Sequence, residues 1–222
     1  MMRPTFDLAV YLVLDPGLCA GIGMVETARR AVAGGATMVQ LRDKDGGTAR
    51  MIETGRALKT ALAGTGARLI VNDDVAAAVE IGADGIHIGQ GDMKATEARR
   101  LIGPDAILGL TVETPELAAQ ADPMLVDYIG AGPVFATPTK LDHKTPVGFD
   151  GLATQIAASP VPAVAIGGLK APHVAAALAA GALGVAVVSA ICGQPDPEQA
   201  ARILRQEVNA CRRMSSDSSV RV

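Results

Sequence analysis

The feature that most restricts this chain is an alternation: a short β-branched run followed by an alanine-rich amphipathic segment, eight times over 222 residues. The runs predict strands at 8–14, 37–41, 68–71, 85–88, 106–110, 127–129, 163–166 and 184–188, with helical segments between them. Such alternation builds a parallel sheet covered by helices. Eight units without an evident break suit a closed single-domain α/β structure, a (β/α)8 TIM barrel with short loops. An open doubly wound sheet is the competing architecture. It would not require eight units, and its GxGxxG fingerprint is missing after the first run, where the text is DPGLCAGIGM. The barrel is expected over residues 1–213, with 214–222 as a disordered polar tail.

Composition narrows the partners. With 20 basic and 23 acidic residues the formal charge is −3, and no basic stripe stands out, so nucleic acid is not an expected partner. No run reaches the ~18 apolar residues of a membrane span. Three cysteines, Cys19, Cys192 and Cys211, show no CxxC spacing and read as reduced thiols, which points to a cytoplasmic protein. Nothing fixes an oligomeric state.

The strand ends carry the chemistry. Parallel strands buried on both faces need only apolar side chains, yet these stop in TMVQLRDK, RLIVNDD, GIHIGQGD and GPVFATPTK. Gln40 and Arg42 share a side under period-two alternation, so both can face the mouth of a barrel. Arg42 offers a rigid fork of donors to phosphate and Lys44 a movable point charge. A solvated loop in which Asp43 and Asp45 balance those cations explains the same text. Asn72, Asp73 and Asp74 end the third strand, and Asp92 follows the fourth. One βα unit apart, Asp73 and Asp92 would meet on neighbouring strand ends and suit Mg²⁺, whereas Asp74 reads as a helix cap.

His87 lies in a strand between small residues, either facing a ligand or satisfied in the core. Thr137, Thr139 and Lys140 make a plausible polyphosphate loop. IGGL at 166–169 and VVSA at 187–190 occupy the seventh and eighth strand ends, where barrels often cradle phosphate with backbone amides. Gly168 permits close backbone approach and Ser189 adds a hydroxyl. The division suggests a pyrophosphate substrate on a metal-and-cation side, facing a monophosphate substrate on an amide side. No local nucleophile motif is present.

In that order, YLVLD, VQLRDK, NDD, GADGIHIGQGD, GPVFATPTK, VAIGGL and GVAVVSAI resemble the thiamine-phosphate synthase (thiamine-phosphate pyrophosphorylase) family of thiamine biosynthesis. The resemblance implies a transferase. It would join 4-amino-2-methyl-5-pyrimidinylmethyl pyrophosphate to 4-methyl-5-(2-phosphoethyl)thiazole, giving thiamine phosphate and pyrophosphate by a dissociative, Mg²⁺-assisted route. It further implies that Asp73 and Asp92 ligate Mg²⁺ and that Arg42, Lys44, Asn72 and Lys140 hold the pyrophosphate. Gln40 and His87 would line the pyrimidine side, and Thr137, Thr139, Gly168, Val188 and Ser189 the thiazole phosphate side. Thr111 stands where the family usually has serine, and its hydroxyl would keep a pyrophosphate contact. A thiazole tautomerase-like isomerase and a catalytically silent phosphate-ligand sensor are the alternatives.

Overall fold

The computed structural model describes residues 5–137 and 145–219, with side chains as far as 214. Thr139 and Lys140 lie outside the described residues. Eight parallel strands close into a barrel in sequence order: β1 (Val10–Val13), β2 (Met38–Leu41), β3 (Arg68–Asn72), β4 (Gly85–Ile88), β5 (Ile107–Val112), β6 (Tyr128–Ala131), β7 (Ala163–Ile166) and β8 (Val185–Val187). Helices α1 (Met24–Ala33), α2 (Gly47–Leu62), α3 (Val75–Ile81), α4 (Ala95–Ile102), α5 (Pro115–Ala119), α6 (Gly148–Ala158), α7 (Val174–Ala179) and α8 (Pro197–Ser219) intervene and cover the outside. The expected (β/α)8 barrel is therefore the observed fold.

Period-two alternation divides the strand residues between two cores. Leu12, Val39, Leu41, Val71, Ile86, Leu108 and Ile129 point outward and pack against the helices. Tyr11, Val13, Met38, Ile70, Ile107, Tyr128, Val164 and Ala186 point inward and fill the barrel, which is a packed core rather than a pore. The helices start and stop for local reasons. Asp74 caps α3 by accepting from the Ala77 N–H at 2.8 Å, and Gly82 ends that helix in the left-handed region. Thr114 caps α5, with Pro115 at its first position.

Two boundaries differ from those the sequence predicts. Strand β5 runs on to Val112 because it keeps pairing with β6, Thr111 opposite Gly130. Thr111 is thus an inward strand residue rather than a loop residue. Helix α8 continues past Arg212 to Ser219, so the expected 213/214 boundary falls inside a helix; no glycine or proline interrupts that stretch.

The foot of the barrel is fastened by carboxylates. Asp84, just before β4, accepts from the Leu69 N–H of β3 at 2.8 Å and pairs with Arg68. Asp127, just before β6, accepts from the Leu108 N–H of β5 at 2.8 Å and from Arg99 at 2.6 Å. Arg99 also donates to the carbonyls of Gly103, Ala106 and Leu125, tying α4 to both strands. Asp7 takes Arg205 and Arg212 from α8.

Candidate active site

At the opposite end, where the strands terminate, lies a cavity of about 360 Å³. Its lining includes Gln40, Arg42, Lys44, Asn72, Asp73, His87, Asp92, Thr111, Thr137, Gly168, Val188 and Ser189. Every described residue that the sequence singled out for the site, from seven of the eight βα units, therefore reaches one space. Strand order fixes the geometry further. In a closed ring of eight, β3 and β4 stand across the mouth from β7 and β8. Asp73 and Asp92 thus face the glycines and Ser189, with Arg42 and Lys44 beside them after β2.

On the first side, Asp73 has φ 62, the only non-glycine positive φ among the described residues. Its N–H extends the β3–β4 ladder to the His87 carbonyl at 2.9 Å. Aspartate tolerates this left-handed conformation at some cost, and such outliers cluster at functional sites. The turn brings its carboxyl within hydrogen-bonding reach of Asp92. Burial first, and the facing Asp92 second, push the Asp73 pKa up to about 6, with Lys44 and Asn72 opposing. Asp92 also accepts the Gly89 N–H at 2.6 Å. It does not cap the next helix, whose cap position is Lys94. Two carboxylates held together against their repulsion, beside an amide, form an oxygen donor set suited to a hard dication. Among the described residues no three His, Cys, Asp or Glu converge. An ion held by this pair would need further oxygen ligands from elsewhere.

Asp43 does not balance Arg42 or Lys44. Asp43 is buried and committed to Arg50, at 2.7 Å to each of two guanidinium nitrogens, and to the Gly46 N–H. Its carboxyl lies below the usual range because the Arg50 bonds outweigh burial. Arg42 and Lys44 line the cavity instead.

On the far side, Gly167 and Gly168 have φ 104 and 64. A Cβ on Gly168 would sit 2.8 Å from Phe135 Cβ and 2.9 Å from the Ala136 carbonyl oxygen, so both conformation and space demand glycine. Among the described residues, neither the Gly168 nor the Ser189 backbone N–H has a partner. Both belong to the cavity lining. Paired backbone donors at the ends of strands seven and eight are a recurrent phosphate seat in such barrels.

Between the two sides runs a chain of buried polar groups. Gln40 Nε2 donates to the Tyr11 hydroxyl at 2.8 Å, which lies 2.8 Å from the Tyr128 hydroxyl. That hydroxyl is 3.0 Å from His87 Nδ1, and His87 Nε2 is 2.9 Å from Thr111 Oγ1. His87 is therefore both satisfied in the core and part of the cavity wall. Burial pushes the Tyr11 and Tyr128 phenols well above their ordinary range, so both are neutral donors.

Tyr11, Tyr128, Gln90 and Glu113 escaped the sequence reading. Tyr11, Gln90 and Glu113 line the cavity, and Gln90 Nε2 donates to the Thr111 carbonyl at 2.6 Å, joining the loop after β4 to β5. For the tyrosines a signal existed. They are the only two in the chain, each sits in an apolar run, and a buried phenol needs a partner.

Comparison with known proteins places the chain in a family. The profile described as thiamine monophosphate synthase matches residues 10–191. A thiamine-phosphate synthase of Xanthobacter autotrophicus is 50% identical over 95% of this chain and 100% of its own. One of Solidesulfovibrio magneticus is 52% identical over 92% of this chain and 97% of its own. The solved thiamine phosphate pyrophosphorylase of Pyrococcus furiosus superposes with a TM-score of 0.83 at 34% identity, covering 92% of this chain and 96% of that one. By profile, sequence and structure alike, the chain belongs to the thiamine monophosphate synthase family.

Proposed function

We propose that the chain is a thiamine-phosphate synthase that joins 4-amino-2-methyl-5-pyrimidinylmethyl pyrophosphate to 4-methyl-5-(2-phosphoethyl)thiazole. The observation that carries this reading is one cavity whose walls differ, with paired carboxylates and cations after β2 to β4 and glycines with Ser189 after β7 and β8. A pyrophosphate needs charge compensation as it departs, whereas a spectator monophosphate needs only to be held.

Arg42, Lys44 and Asn72 hold the pyrophosphate, together with Lys140 by family resemblance. The bond from the pyrimidine methylene to the pyrophosphate oxygen breaks, and its electron pair leaves with pyrophosphate. The aminopyrimidine spreads the resulting positive charge, and the thiazole nitrogen closes the new carbon–nitrogen bond. Mg²⁺ held by Asp73 and Asp92 would supply neutralisation of the charge that builds on the leaving group. Gln40 and His87 orient the pyrimidine. Gly168 and Ser189, with Val188, Thr137 and Thr139, hold the thiazole phosphate, and Thr111 contributes a hydroxyl on the pyrophosphate side. Alignment is the main task of the protein. Both reacting atoms come from substrates, which accounts for a site without a nucleophile.

The carboxylate pair and its cations would have no work in a thiazole isomerase, and a sensor would need no leaving-group seat. The reading includes a single catalytic domain and a cytoplasmic setting. No helix of the described residues is long and apolar enough to cross a membrane. The test is direct: thiamine phosphate is measured from the two substrates with Mg²⁺ omitted and restored. Metal-dependent product is expected; tight thiazole-phosphate binding without product would overturn the synthase in favour of the sensor.

A further inference from the structure

We propose that Tyr11, Tyr128 and His87 form a polarised hydrogen-bond relay that fixes which face of the Gln40 amide meets the ligand. Through the relay, recognition of an amino-bearing ring is coupled to recognition of an anionic oxygen at Thr111. This rests on the synthase reading for its ligands but not for its geometry.

Proton counting carries the argument. Each hydroxyl in the chain has one proton, and a neutral imidazole has one donor and one acceptor nitrogen. With Gln40 Nε2 donating to Tyr11, the polarity that keeps every proton within the chain sends the Tyr11 proton to Tyr128 and the Tyr128 proton to His87 Nδ1. His87 must then carry its proton on Nε2 and donate to Thr111 Oγ1. Thr111, already an acceptor, is left to donate outward. The two ends of the relay thus offer the cavity an acceptor, Gln40 Oε1, and a donor, the Thr111 hydroxyl. An exocyclic amino group matches the first and a phosphate oxygen the second. Reversing every bond would present an amide NH₂ and a hydroxyl lone pair, wrong for both. Either matching group therefore stabilises the polarity that the other requires.

The barrel makes room for this relay. In the strand register Gly109 lies between His87 and Tyr128. A Cβ there would fall 2.2 Å from Tyr128 Cζ and 2.4 Å from His87 Nδ1. Without a side chain at 109 the two rings meet, with centroids 5.5 Å apart. Tyr11 and Tyr128 add an edge contact at 6.0 Å, so the rings are held by packing as well as by their hydroxyls. Tyr11, Tyr128 and His87 are thus positioning residues for Gln40.

Two measurements test the relay in the full chain. Nitrogen-15 NMR of the ligand-free protein, with His87 assigned by comparison with His143→Gln and His173→Gln, is expected to show the neutral Nε2–H tautomer. An Nδ1–H tautomer or a doubly protonated ring at neutral pH would overturn the relay, whatever reaction the protein performs. Next, binding of the 4-amino pyrimidine alcohol and of its 4-oxo analogue, each with inorganic pyrophosphate present, is compared across variants. Tyr128→Phe keeps the ring and cuts the relay. It should lower the amino-over-oxo preference about tenfold, the scale of one hydrogen bond to an uncharged partner. Thr111→Val, at the opposite end of the relay from Gln40, should shift the preference in the same direction, and Thr111→Ser should not. An unchanged preference in Tyr128→Phe, with the native fold retained by circular dichroism, sinks the proposal even if thiamine phosphate is made normally. If the wild type makes no thiamine phosphate while the tautomer and preference hold, the synthase reading fails and the relay stands.

Discussion

The two ends of the barrel use the same residue type in opposite ways. At the foot, Asp84 and Asp127 accept backbone N–H groups and arginines, and Asp7 takes two arginines. Every such carboxylate has donors around it. Burial raises the Asp7 pKa, but Arg205 and Arg212 outweigh it and hold the carboxyl below the usual range. At the mouth, Asp73 and Asp92 face each other, and Asp73 is raised to about 6. The aspartates at the foot are fasteners, as are Asp43 and Asp74 beside the mouth, whereas the facing Asp73–Asp92 pair is a local liability that a bound cation would relieve. Stability is invested where the strands begin and spent where they end.

The contrast can be broken most severely at the mouth. Asp92→Ala is expected to lower turnover at least about a thousandfold, equivalent to roughly 4 kcal/mol of transition-state stabilisation. Its melting temperature without metal should match or exceed that of the wild type. Pyrophosphate release and a thermal melt check both, and near-normal turnover at limiting Mg²⁺ would defeat the metal assignment. At the foot the effects exchange places. Arg99→Met leaves Asp127 buried without its guanidinium and removes donors from three carbonyls, which should cost about 3–5 kcal/mol in urea unfolding. Turnover per folded molecule should hardly change.

Gly109→Ala tests the barrel interior between the two ends. The added methyl meets Tyr128 and His87, so about 1–3 kcal/mol of stability should be lost, and pyrimidine binding with it. A stable, fully active variant would show that the rings can rearrange.

The smallest effect is the response to pH. The Asp73 pKa is raised on folding, so its penalty is full above about pH 6 and is relieved as pH falls towards the unfolded value. Metal-free protein should gain about 1–2 kcal/mol from this group between pH 7 and pH 4, allowing for its partial exposure. Asp7 works in the other direction. Its contribution is present above the unfolded pKa and is lost as pH falls through its depressed folded value. Asp92→Asn should flatten the first slope and leave the second.

Much of this was legible in the sequence. Apolar runs with period two and alanine-rich helical text between them announced the eight units, because burial on both sheet faces leaves strand residues little else to be. The strand-end residues were legible because polar groups at the ends of apolar runs have no role in the sheet itself. Asp74 as a cap could be read from position alone, and the structure agrees. Ambiguity persisted where a residue's role depends on a partner distant along the chain. Asp43 could have balanced Arg42 but is committed to Arg50 on α2. His87 could have been core or site, and packing made it both.

By itself the sequence determined the number of βα units, the alternation of faces along a strand and the family. These follow from local periodicity and from short motifs in order. Only the tertiary structure decided that Tyr11, on the first strand, would share a proton chain with Tyr128 on the sixth and Gln40 on the second. Only closure of the barrel set the carboxylate pair across from Gly168 and Ser189. The reason is physical. Alternation tells each side chain which way to point, but ring closure and a missing side chain at Gly109 determine which groups come close enough to share a proton.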